Sequence, residues 1–373
     1  MVASFPQTTK PILQNHVDNF LDHPVPDAIM AMPNLEYTLA WIPGDHVWHN
    51  RRRVCASHLF TTQRLDSLQH LRQKKVDQLL QHITKHCVLG TPVYITDLAS
   101  ATILNLMSNT MFSIDLVDLR FESAQEFREL MWRIMEGVGK PNISDYFPIF
   151  RSLDLQGVKR GTVPSYKRLH EILDGIIHER MKLKASNSTT SMNDFLDVLL
   201  DQCQMDGSDF SSKTIKTLLV ELVFGGSDTS SITIEWAMVE LLRNPHVMQK
   251  VRIELKTMRF HPLAPHLLPY KAKYYLEILG FTIPKDSNVL VNIWAIARDP
   301  RYREDPLSFL PERFLSFNID FRGRDFEYLP FGAGKRICPG IPPGLRMVHF
   351  VLASIIIRSV GSFLRESLWR AST

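Results

Sequence analysis

The sequence has few cysteines, no long block of like charge and no long apolar run. Its four cysteines are widely separated along 373 residues, which excludes a disulfide framework and a Cys-x-x-Cys metal site. A net charge of +4 without a basic block excludes the electrostatic pattern of a nucleic-acid-binding protein. No segment reaches the ~18 apolar residues that cross a bilayer, so we expect a soluble or peripheral chain in a reducing compartment.

The composition is that of an ordinary globular protein. Hydrophobic residues make up 45% and charged residues 22% of the chain, which excludes collagen-like and disordered chains. The length allows two domains or one large domain. Residues 1–6 lack a charged segment followed by an apolar one, so we expect no signal peptide.

Hydrophobic periodicity predicts a mainly α protein with a small β portion. Residues 1–45 contain repeated prolines, which allow only short helices between turns. Two amphipathic helices are predicted within Val47–His86, and further helices at Ile95–Met111, Glu126–Val138, Pro164–Ala185, Ile215–Leu242 and Asn244–Leu255. The helix Ile215–Leu242 is too uniformly apolar for a surface helix and is expected to be buried. Strands are predicted at Leu276–Ile283 and Val289–Val291, around a polar turn at 284–287.

The segment Phe331–Gly340 has the most specific pattern in the chain. It reads Phe-Gly-Ala-Gly-Lys-Arg-Ile-Cys-Pro-Gly, and its glycines permit a tight turn around Cys338. A lone cysteine in such a turn is most often a buried packing residue. A phosphate-binding loop is a poor alternative, because Gly334-Lys335 is not followed by serine or threonine. The whole segment resembles the haem-binding loop of the cytochromes P450, F-x-x-G-x-R-x-C-x-G, at every fixed position.

This resemblance implies that the loop binds haem. Cys338 would be the thiolate ligand of the iron, with Arg336 among the groups that stabilise the negative charge. Gly334 and Gly340 would permit the turns, and Phe331 would shield the sulfur from water. A thiolate ligand donates electron density to haem iron and favours cleavage of the O–O bond.

Two adjacent glycines interrupt the predicted helix Ile215–Leu242. Gly225 and Gly226 each lower helix stability by about 0.5–1 kcal/mol relative to alanine. Close approach of a flat ligand would explain two glycines in a row. Taken alone, the segment is also typical of a kinked helix with a back-bonded threonine. The family resemblance implies that this stretch activates oxygen, with Asp228 and Thr229 delivering protons to dioxygen.

Two weaker patterns fit the same family. Trp48 and Arg52 are one helical turn apart, which puts both side chains on one helix face. The resemblance implies that they bind a haem propionate, since arginine suits bidentate contact with a carboxylate. The stretch Phe309–Phe314 is similar to the meander motif of the family, in which Arg313 is the fixed arginine.

The resemblance implies one cytochrome P450 domain at residues 1–357, followed by an atypical tail at 358–373. Stretches such as Trp48–Cys55 and Ala295–Pro300 are similar to plant geraniol 8-hydroxylase-like members. The implied function is a haem-thiolate monooxygenase that inserts one atom of dioxygen into a small hydrophobic substrate, a monoterpenoid or a related plant metabolite. The implied cofactor is haem b, and the implied electron source is NADPH acting through a reductase.

The resemblance also bears on location and docking. Family members are anchored in the endoplasmic reticulum membrane, whereas this sequence starts after the expected anchor, so a cytoplasmic or peripheral location stays open. The reductase is expected on a basic face, to which Arg51, Arg53 and Lys335 would contribute. Simple solvation of these charges is the alternative.

The sequence departs from the family in three places. The E-x-x-R motif should end at Arg259, but Lys256 occupies the glutamate position, and the preceding connection is missing as in an internal deletion. Tyr270 stands where similar sequences have a basic residue, and the chain ending does not resemble the hairpin that lines the substrate pocket. Two alternatives to an active monooxygenase therefore stay open. One is a non-catalytic remnant that binds haem poorly, and the other is a helical interaction scaffold.

Overall fold

The computed structural model describes residues 1–117, 123–186, 192–205, 209–244, 253–310 and 320–371, with the backbone alone at 123–125, 253–256 and 358–371. Helices dominate, as predicted. They are α1 (Pro6–Lys10), α2 (Asp27–Met30), α3 (His46–His58), α4 (Thr62–Ser67), α5 (Gln69–Val88), α6 (Ile95–Phe112), α7 (Ser123–Gly139), α8 (Ile143–Tyr146), α9 (Val158–Ala185), α10 (Phe195–Cys203), α11 (Ser212–Arg243), α12 (Ile253–Phe260), α13 (Ile293–Ile296) and α14 (Ile341–Ala371). Short 3-10 segments lie at Val17–Phe20, Leu35–Tyr37, Pro148–Leu153 and Gly334–Arg336.

Five short strands form the β portion of the described chain. They are β1 (Val2–Ala3), β2 (Tyr270–Lys271), β3 (Leu276–Ile278), β4 (Phe281–Ile283) and β5 (Asn288–Val291). One sheet has the order β1-β5-β2, in which β1 is parallel and β2 antiparallel to β5. The antiparallel pair β3 and β4 forms a separate two-stranded sheet.

The strand predictions are correct in place but wrong in connection. The predicted strand Leu276–Ile283 is a hairpin that turns at Leu279 and Gly280. These two residues have φ of 50° and 79°, which is the left-handed geometry that a tight two-residue hairpin turn needs. The polar turn at 284–287 therefore joins strands of two different sheets rather than a hairpin.

Most of the helix predictions are confirmed, with two corrections. The region Val47–His86 contains three helices instead of two, because α3 ends before Thr62 and the short α4 precedes α5. The helix predicted from Pro164 begins at Val158 instead. Its first turn is capped by Asp154, whose carboxylate accepts hydrogen bonds from the amides of Lys159 (3.2 Å) and Arg160 (2.9 Å).

One other helix prediction reaches beyond the described residues. The predicted helix Asn244–Leu255 falls mostly on residues 245–252, which lie outside them, and α12 begins at Ile253. The tail predicted at 358–373 is helical over most of its length, since α14 runs without a break from Ile341 to Ala371. Within the described parts of the chain, no helix combines the length and apolarity that crossing a membrane requires.

The chain divides into two compact units. Unit 1 consists of Met1–Phe20, Thr62–Ile103 and Gly226–Thr373, and unit 2 consists of Leu21–Thr61 and Leu104–Gly225. Helix α11 belongs to both, because the boundary falls between its two adjacent glycines. Its apolar residues are largely buried, as predicted, although Leu242 near its end is 70% exposed.

The core of unit 1 surrounds the mixed sheet. Buried residues of β5, β2 and the amino-terminal turns meet Leu329 and Ala333, which precede the cysteine loop. The first part of α14 packs against α5, and an ion pair between Arg346 and Asp66 joins α14 to α4. The loop at 331–340 is thus fixed on one side by a core and on the other by a helix.

Unit 2 is built around α9. This helix packs against α7 and α2, and its Arg180 is 7% exposed. The Arg180 guanidinium donates to Asp194 of the loop before α10 (2.7 Å), to Asp197 of α10 (2.9 Å) and to the Phe112 carbonyl at the end of α6 (2.9 Å). One buried arginine with two carboxylates therefore joins three helices of the unit, and its charge is compensated.

Candidate active site

The loop at 331–340 presents Cys338 at the surface of unit 1, just before α14. The amide of Cys338 donates to the Phe331 carbonyl (3.0 Å), and the amide of Ile337 donates to the Gly334 carbonyl (3.2 Å). The Gly340 carbonyl accepts the Gly344 amide of the first turn of α14 (2.9 Å). The exposed sulfur thus lies close to a helix amino terminus, whose amide dipoles favour a thiolate.

Gly334 is required by its backbone conformation and by its neighbour. Its φ is +69°, in the left-handed region, and an added Cβ would lie 2.1 Å from the Leu13 carbonyl oxygen. Gly340 differs, because its added Cβ would make an ordinary 3.6 Å contact with the Cys338 sulfur. The loop therefore depends on close packing of Gly334 against the amino-terminal turns of unit 1.

We expect Gly334→Ala to destabilise the protein far more than Gly280→Ala. Gly280 has φ of +79° and open space at its Cβ, so alanine there adds only the left-handed strain of ~1–2 kcal/mol. At Gly334 the same strain is joined by a collision with backbone, for a total of about 3 kcal/mol or more. Urea unfolding of the two variants measures the difference, and equal losses would show that the Leu13 contact relaxes freely.

Arg336 and Phe331 flank the cysteine. Burial of Tyr270 raises the pKa of its hydroxyl. The positive charge of the half-buried Arg336 partly offsets this rise. The Tyr270 hydroxyl lies near Gly332 of the loop, 3.9 Å from the position of an added Cβ. The Phe331 ring packs edge-on against Phe321, with ring centroids 6.1 Å apart. Tyr270 is therefore a buried neighbour of the loop.

Lys335 is the exposed cation of the loop. Its ammonium lies 2.5 Å from a carboxylate oxygen of Asp18, in an exposed ion pair. An exposed pair of this kind contributes about 0–1 kcal/mol. A docking partner that uses Lys335 would have to compete with Asp18 for its charge. Arg53 is exposed, but the prediction that Arg51 adds to a basic docking surface is wrong, because Arg51 is 2% exposed and its guanidinium donates to the Glu36 carbonyl (3.0 Å).

Helix α11 carries the predicted oxygen-activating residues. Gly225 is exposed, and an added Cβ there meets no atom within 4 Å among the described residues, so the helix has open space beside it. Burial raises the pKa of Asp228, which keeps its proton to higher pH than a surface aspartate. The Thr229 carbonyl accepts the Thr233 hydroxyl (2.9 Å) in the back-bonding pattern.

Within unit 1, the second half of α11 lies beside the start of α14. A methyl group added at Gly344 would lie 3.9 Å from the Ser230 hydroxyl. Ser230 directly follows Thr229, and Gly344 is six residues after Cys338. The structure therefore brings the helix of Asp228 and Thr229 next to the helix that follows the cysteine loop.

Trp48 and Arg52 lie in unit 2 and share one face of α3. Trp48 is 1% exposed, and the Arg52 guanidinium carbon lies 5.4 Å from its ring centroid, a cation–π arrangement. The helix begins after Asp45, whose carboxylate accepts the Trp48 amide (3.0 Å). This cap was not predicted, although an aspartate before a helical pattern is a known start signal.

The other cysteines differ from Cys338. Cys55 is fully buried, and burial together with the charge of Glu221 raises the pKa of its thiol to about 12. Cys87 and Cys203 are exposed, at the end of α5 and of α10. A neutral buried thiol does not serve as a thiolate ligand at neutral pH.

Arg259 is buried at the end of α12 and is 2% exposed. Its guanidinium donates to the carbonyls of Ala297 (3.1 Å), Pro306 (2.9 Å) and Ser308 (3.0 Å). The side chain of Lys256 and the segment at 311–319, with Arg313, lie outside the described residues. Backbone oxygens thus contact the Arg259 guanidinium. These contacts were not predicted, because the three carbonyls are 38 to 49 residues away along the chain.

Comparison with known proteins identifies the class. The sequence matches the family described as "Cytochrome P450" over residues 1–257 and 257–358. The chain belongs to this family of monooxygenases, which the loop around Cys338 and the helical fold define together. The match falls into two parts that meet at residue 257, beside Lys256, where a missing segment is expected from the sequence.

The chain is similar to several plant enzymes. It is 38% identical to a geraniol 8-hydroxylase of Swertia mussotii, covering 93% of this chain and 75% of that enzyme. It is 37% identical to cytochrome P450 76T24 of Catharanthus roseus, covering 95% of this chain and 77% of that protein. Among solved structures, a zebra fish cytochrome P450 with progesterone superposes with a TM-score of 0.78 at 21% identity, covering 96% and 85% of the two chains. That likeness shows the fold.

The family implies haem, and the residues described here fit it. An exposed thiol stands at the end of a loop held by backbone hydrogen bonds, beside a helix amino terminus. A thiol held in this way is the group that thiolate ligation of haem iron needs from the chain.

Proposed function

We propose that the chain is a haem-thiolate monooxygenase that inserts one atom of dioxygen into a small hydrophobic substrate of the monoterpenoid class. In this proposal Cys338 is the residue that holds haem b. Its loop is shaped by Phe331, Gly334, Arg336 and Gly340. A propionate is bound by Trp48 and Arg52. The similarity to geraniol 8-hydroxylase supports the substrate class. The exposure of Cys338 beside the amino terminus of α14 is the observation that carries the proposal.

The chain itself would supply three functions. The loop holds the Cys338 sulfur in place, and the open space beside Gly225 would leave room for a flat ligand. Asp228 and Thr229 hold and pass protons, for which a carboxyl group with a raised pKa is suited. Haem, when bound, supplies the reductive activation of dioxygen.

Electrons and location follow from the family. NADPH would supply the electrons through a reductase that docks on a basic surface, where Lys335 is the exposed cation of the cysteine loop. The enzyme would work at the surface of the endoplasmic reticulum membrane, where hydrophobic substrates collect. These assignments rest on the family resemblance.

A difference spectrum tests the proposal. The purified chain is reduced with dithionite and exposed to carbon monoxide, and a thiolate-ligated haem absorbs at a wavelength that histidine-ligated haem does not share. A reconstituted assay with NADPH, reductase and geraniol then measures a hydroxylated product. A thiolate spectrum with product supports the proposal, and the absence of both favours the non-catalytic remnant.

Thr229→Ala is expected to leave haem binding intact and to divert electrons from product to peroxide or water. The hydroxyl makes no contribution to fold stability beyond about 1 kcal/mol, so loading should not change. The ratio of hydroxylated product to NADPH consumed is the measurement. Thr233→Ala, one turn further along α11, is the control, and unchanged coupling in Thr229→Ala would place the proton path elsewhere.

A further inference from the structure

The carboxyl end of helix α5 carries two histidines one turn apart. His82 and His86 lie on the same face of the helix, since residues four apart are neighbours on its surface. Both side chains are partly exposed, and their ring centroids are 4.6 Å apart with the ring planes inclined at 33°. The two imidazole groups therefore lie side by side within reach of solvent.

The separation of the two rings is the one that a shared metal ion needs. A zinc–imidazole bond is about 2.0–2.1 Å long, so two rings on adjacent positions of one ion have centroids about 4.5–5 Å apart. The measured distance of 4.6 Å falls in this range. The same spacing of two histidines along one helix serves in known zinc sites, in which both rings bind one ion.

The turn that ends α5 brings Thr91 against His86. The amide of Thr91 donates to the His86 carbonyl (3.0 Å), and the amide of Gly90 donates to the Cys87 carbonyl (3.2 Å). Gly90 has φ of 64°, in the left-handed region. These features define the Schellman motif, a common helix ending that folds the chain back over the last turn. The second histidine of the pair is therefore next to a fixed hydroxyl group.

The Thr91 hydroxyl determines which nitrogen of His86 is available to a metal. It donates its one hydrogen to the His86 carbonyl (3.3 Å). Toward the His86 Nδ1, 2.8 Å away, the hydroxyl therefore acts as an acceptor, and Nδ1 carries the proton of the neutral ring. The Nε2 atom then keeps the lone pair that binds metal. A metal-binding histidine commonly donates its other ring N–H to a fixed acceptor in this way.

We propose that His82 and His86 form a surface site for one divalent transition-metal ion of the zinc class, with Thr91 as a positioning residue. Imidazole ligands suit zinc, copper and nickel rather than magnesium or calcium. In the described parts of the chain, no group of three or more histidine, cysteine, aspartate or glutamate side chains could hold a metal ion, so water would complete the coordination. The site goes beyond the proposed function, and all its residues belong to unit 1.

Calorimetric titration of the untagged full-length chain with Zn²⁺ tests the two ligands. His82→Gln and His86→Gln should each weaken the binding of Zn²⁺ about tenfold or more, because either change removes the benefit of two linked ligands. The double variant should bind little more weakly than either single variant, which is the sign that both rings share one ion. His70→Gln, at an exposed histidine of the same helix, is the matched control and should leave the Kd unchanged.

Variants of Thr91 test its positioning role. Thr91→Val removes the hydroxyl at nearly constant size and should weaken the binding of Zn²⁺ about tenfold, the usual effect of losing the partner of a metal-binding histidine. Thr91→Ser keeps the hydroxyl and should restore the Kd, which a purely structural role of the methyl group would not do. Lys85, three residues after His82, adds a like charge beside the pair, so Lys85→Gln should tighten binding.

Hydrogen exchange measures what a bound ion does to the helix. The two ligands lie in successive turns, so an ion that binds only the folded helix stabilises its end. We expect Zn²⁺ to slow the deuterium exchange of amides at the end of α5 several-fold in the wild-type chain and to have no such effect in His86→Gln. Helix α5 packs against α14, so the change is followed in peptides from both helices.

The comparison between variants is the measurement that decides, because the chain contains 14 histidines and binding of zinc alone does not locate the site. Loss of one Zn²⁺ site in both histidine variants, with retention in His70→Gln, supports the proposal. An unchanged Kd in either histidine variant overturns it, and so does an equal loss in Cys87→Ser, whose exposed thiol follows His86. The titration does not require haem, so failure of this site and failure of the proposed function are separate results.

Discussion

Replacement of Cys338 by serine should abolish the thiolate-type spectrum of the reduced protein with carbon monoxide. Serine retains the loop geometry, because its hydroxyl is smaller than the thiol and the backbone bonds of the loop do not involve the side chain. It cannot supply a thiolate, which is the group that donates electron density to iron. The expected result is the loss of thiolate ligation at nearly unchanged stability, measured by the difference spectrum and by urea unfolding.

The other cysteines provide the controls. Cys87→Ser and Cys203→Ser change exposed side chains and should leave the spectrum unaltered. Cys55 is fully buried, so alanine is the better replacement there, at a stability loss of about 1 kcal/mol without loss of the spectrum. A thiolate spectrum that persists in Cys338→Ser would contradict the assignment of the ligand.

Local signals in the sequence predicted most of the helices. The apolar periodicity around Ile95–Met111 and Ile215–Leu242 is strong, and both helices extend beyond the predicted bounds by only a few residues. Boundaries were less accurate where a cap decided them. Helix α9 begins at Val158, six residues before Pro164. The Asp154 carboxylate accepts two amide hydrogen bonds of the first turn, and these outweigh the tendency of proline to begin a helix.

Contacts between distant parts of the chain were not predictable in the same way. Glu221 meets Leu39 and Ala40 across about 180 residues, and nothing in the local pattern of α11 marks it. Gly334 was singled out by its motif, but the collision that an added Cβ would make with the Leu13 carbonyl is visible only in the structure. Single sequences encode such contacts only through the complete fold, so the site residues were found by motif and their supporting contacts were not.

The energetic cost expected at Arg259 is smaller in the structure than the sequence suggests. From the sequence, removal of the family glutamate leaves a buried arginine without a carboxylate, at a cost of ~3–5 kcal/mol. In the structure, three carbonyl oxygens accept from its guanidinium, so part of that cost is offset. These oxygens are neutral groups, whereas the family glutamate is charged. A smaller deficit is therefore expected, of about 1.5–3 kcal/mol, the value of a hydrogen bond to a charged group.

Lys256→Glu should raise the haem content of the purified chain several-fold. The wild-type chain is expected to load haem substoichiometrically and to turn over slowly, since Lys256 adds a cation one helical turn before Arg259. Glutamate at this position restores the family pairing and should add about 1.5–3 kcal/mol to a total stability of ~5–15 kcal/mol. The measurements are the ratio of haem to protein and the midpoint of urea unfolding.

Two further variants separate repulsion from pairing at this position. Lys256→Gln removes the cation without adding a carboxylate, so haem content should rise in the order Lys, Gln, Glu. Glu254 is five residues before Arg259, which on a helix is ~140° around the axis, so Glu254→Gln should have no effect. Full haem occupancy and normal turnover in the wild-type chain would refute the prediction, and would mean that the carbonyl oxygens of Ala297, Pro306 and Ser308 are sufficient partners for Arg259.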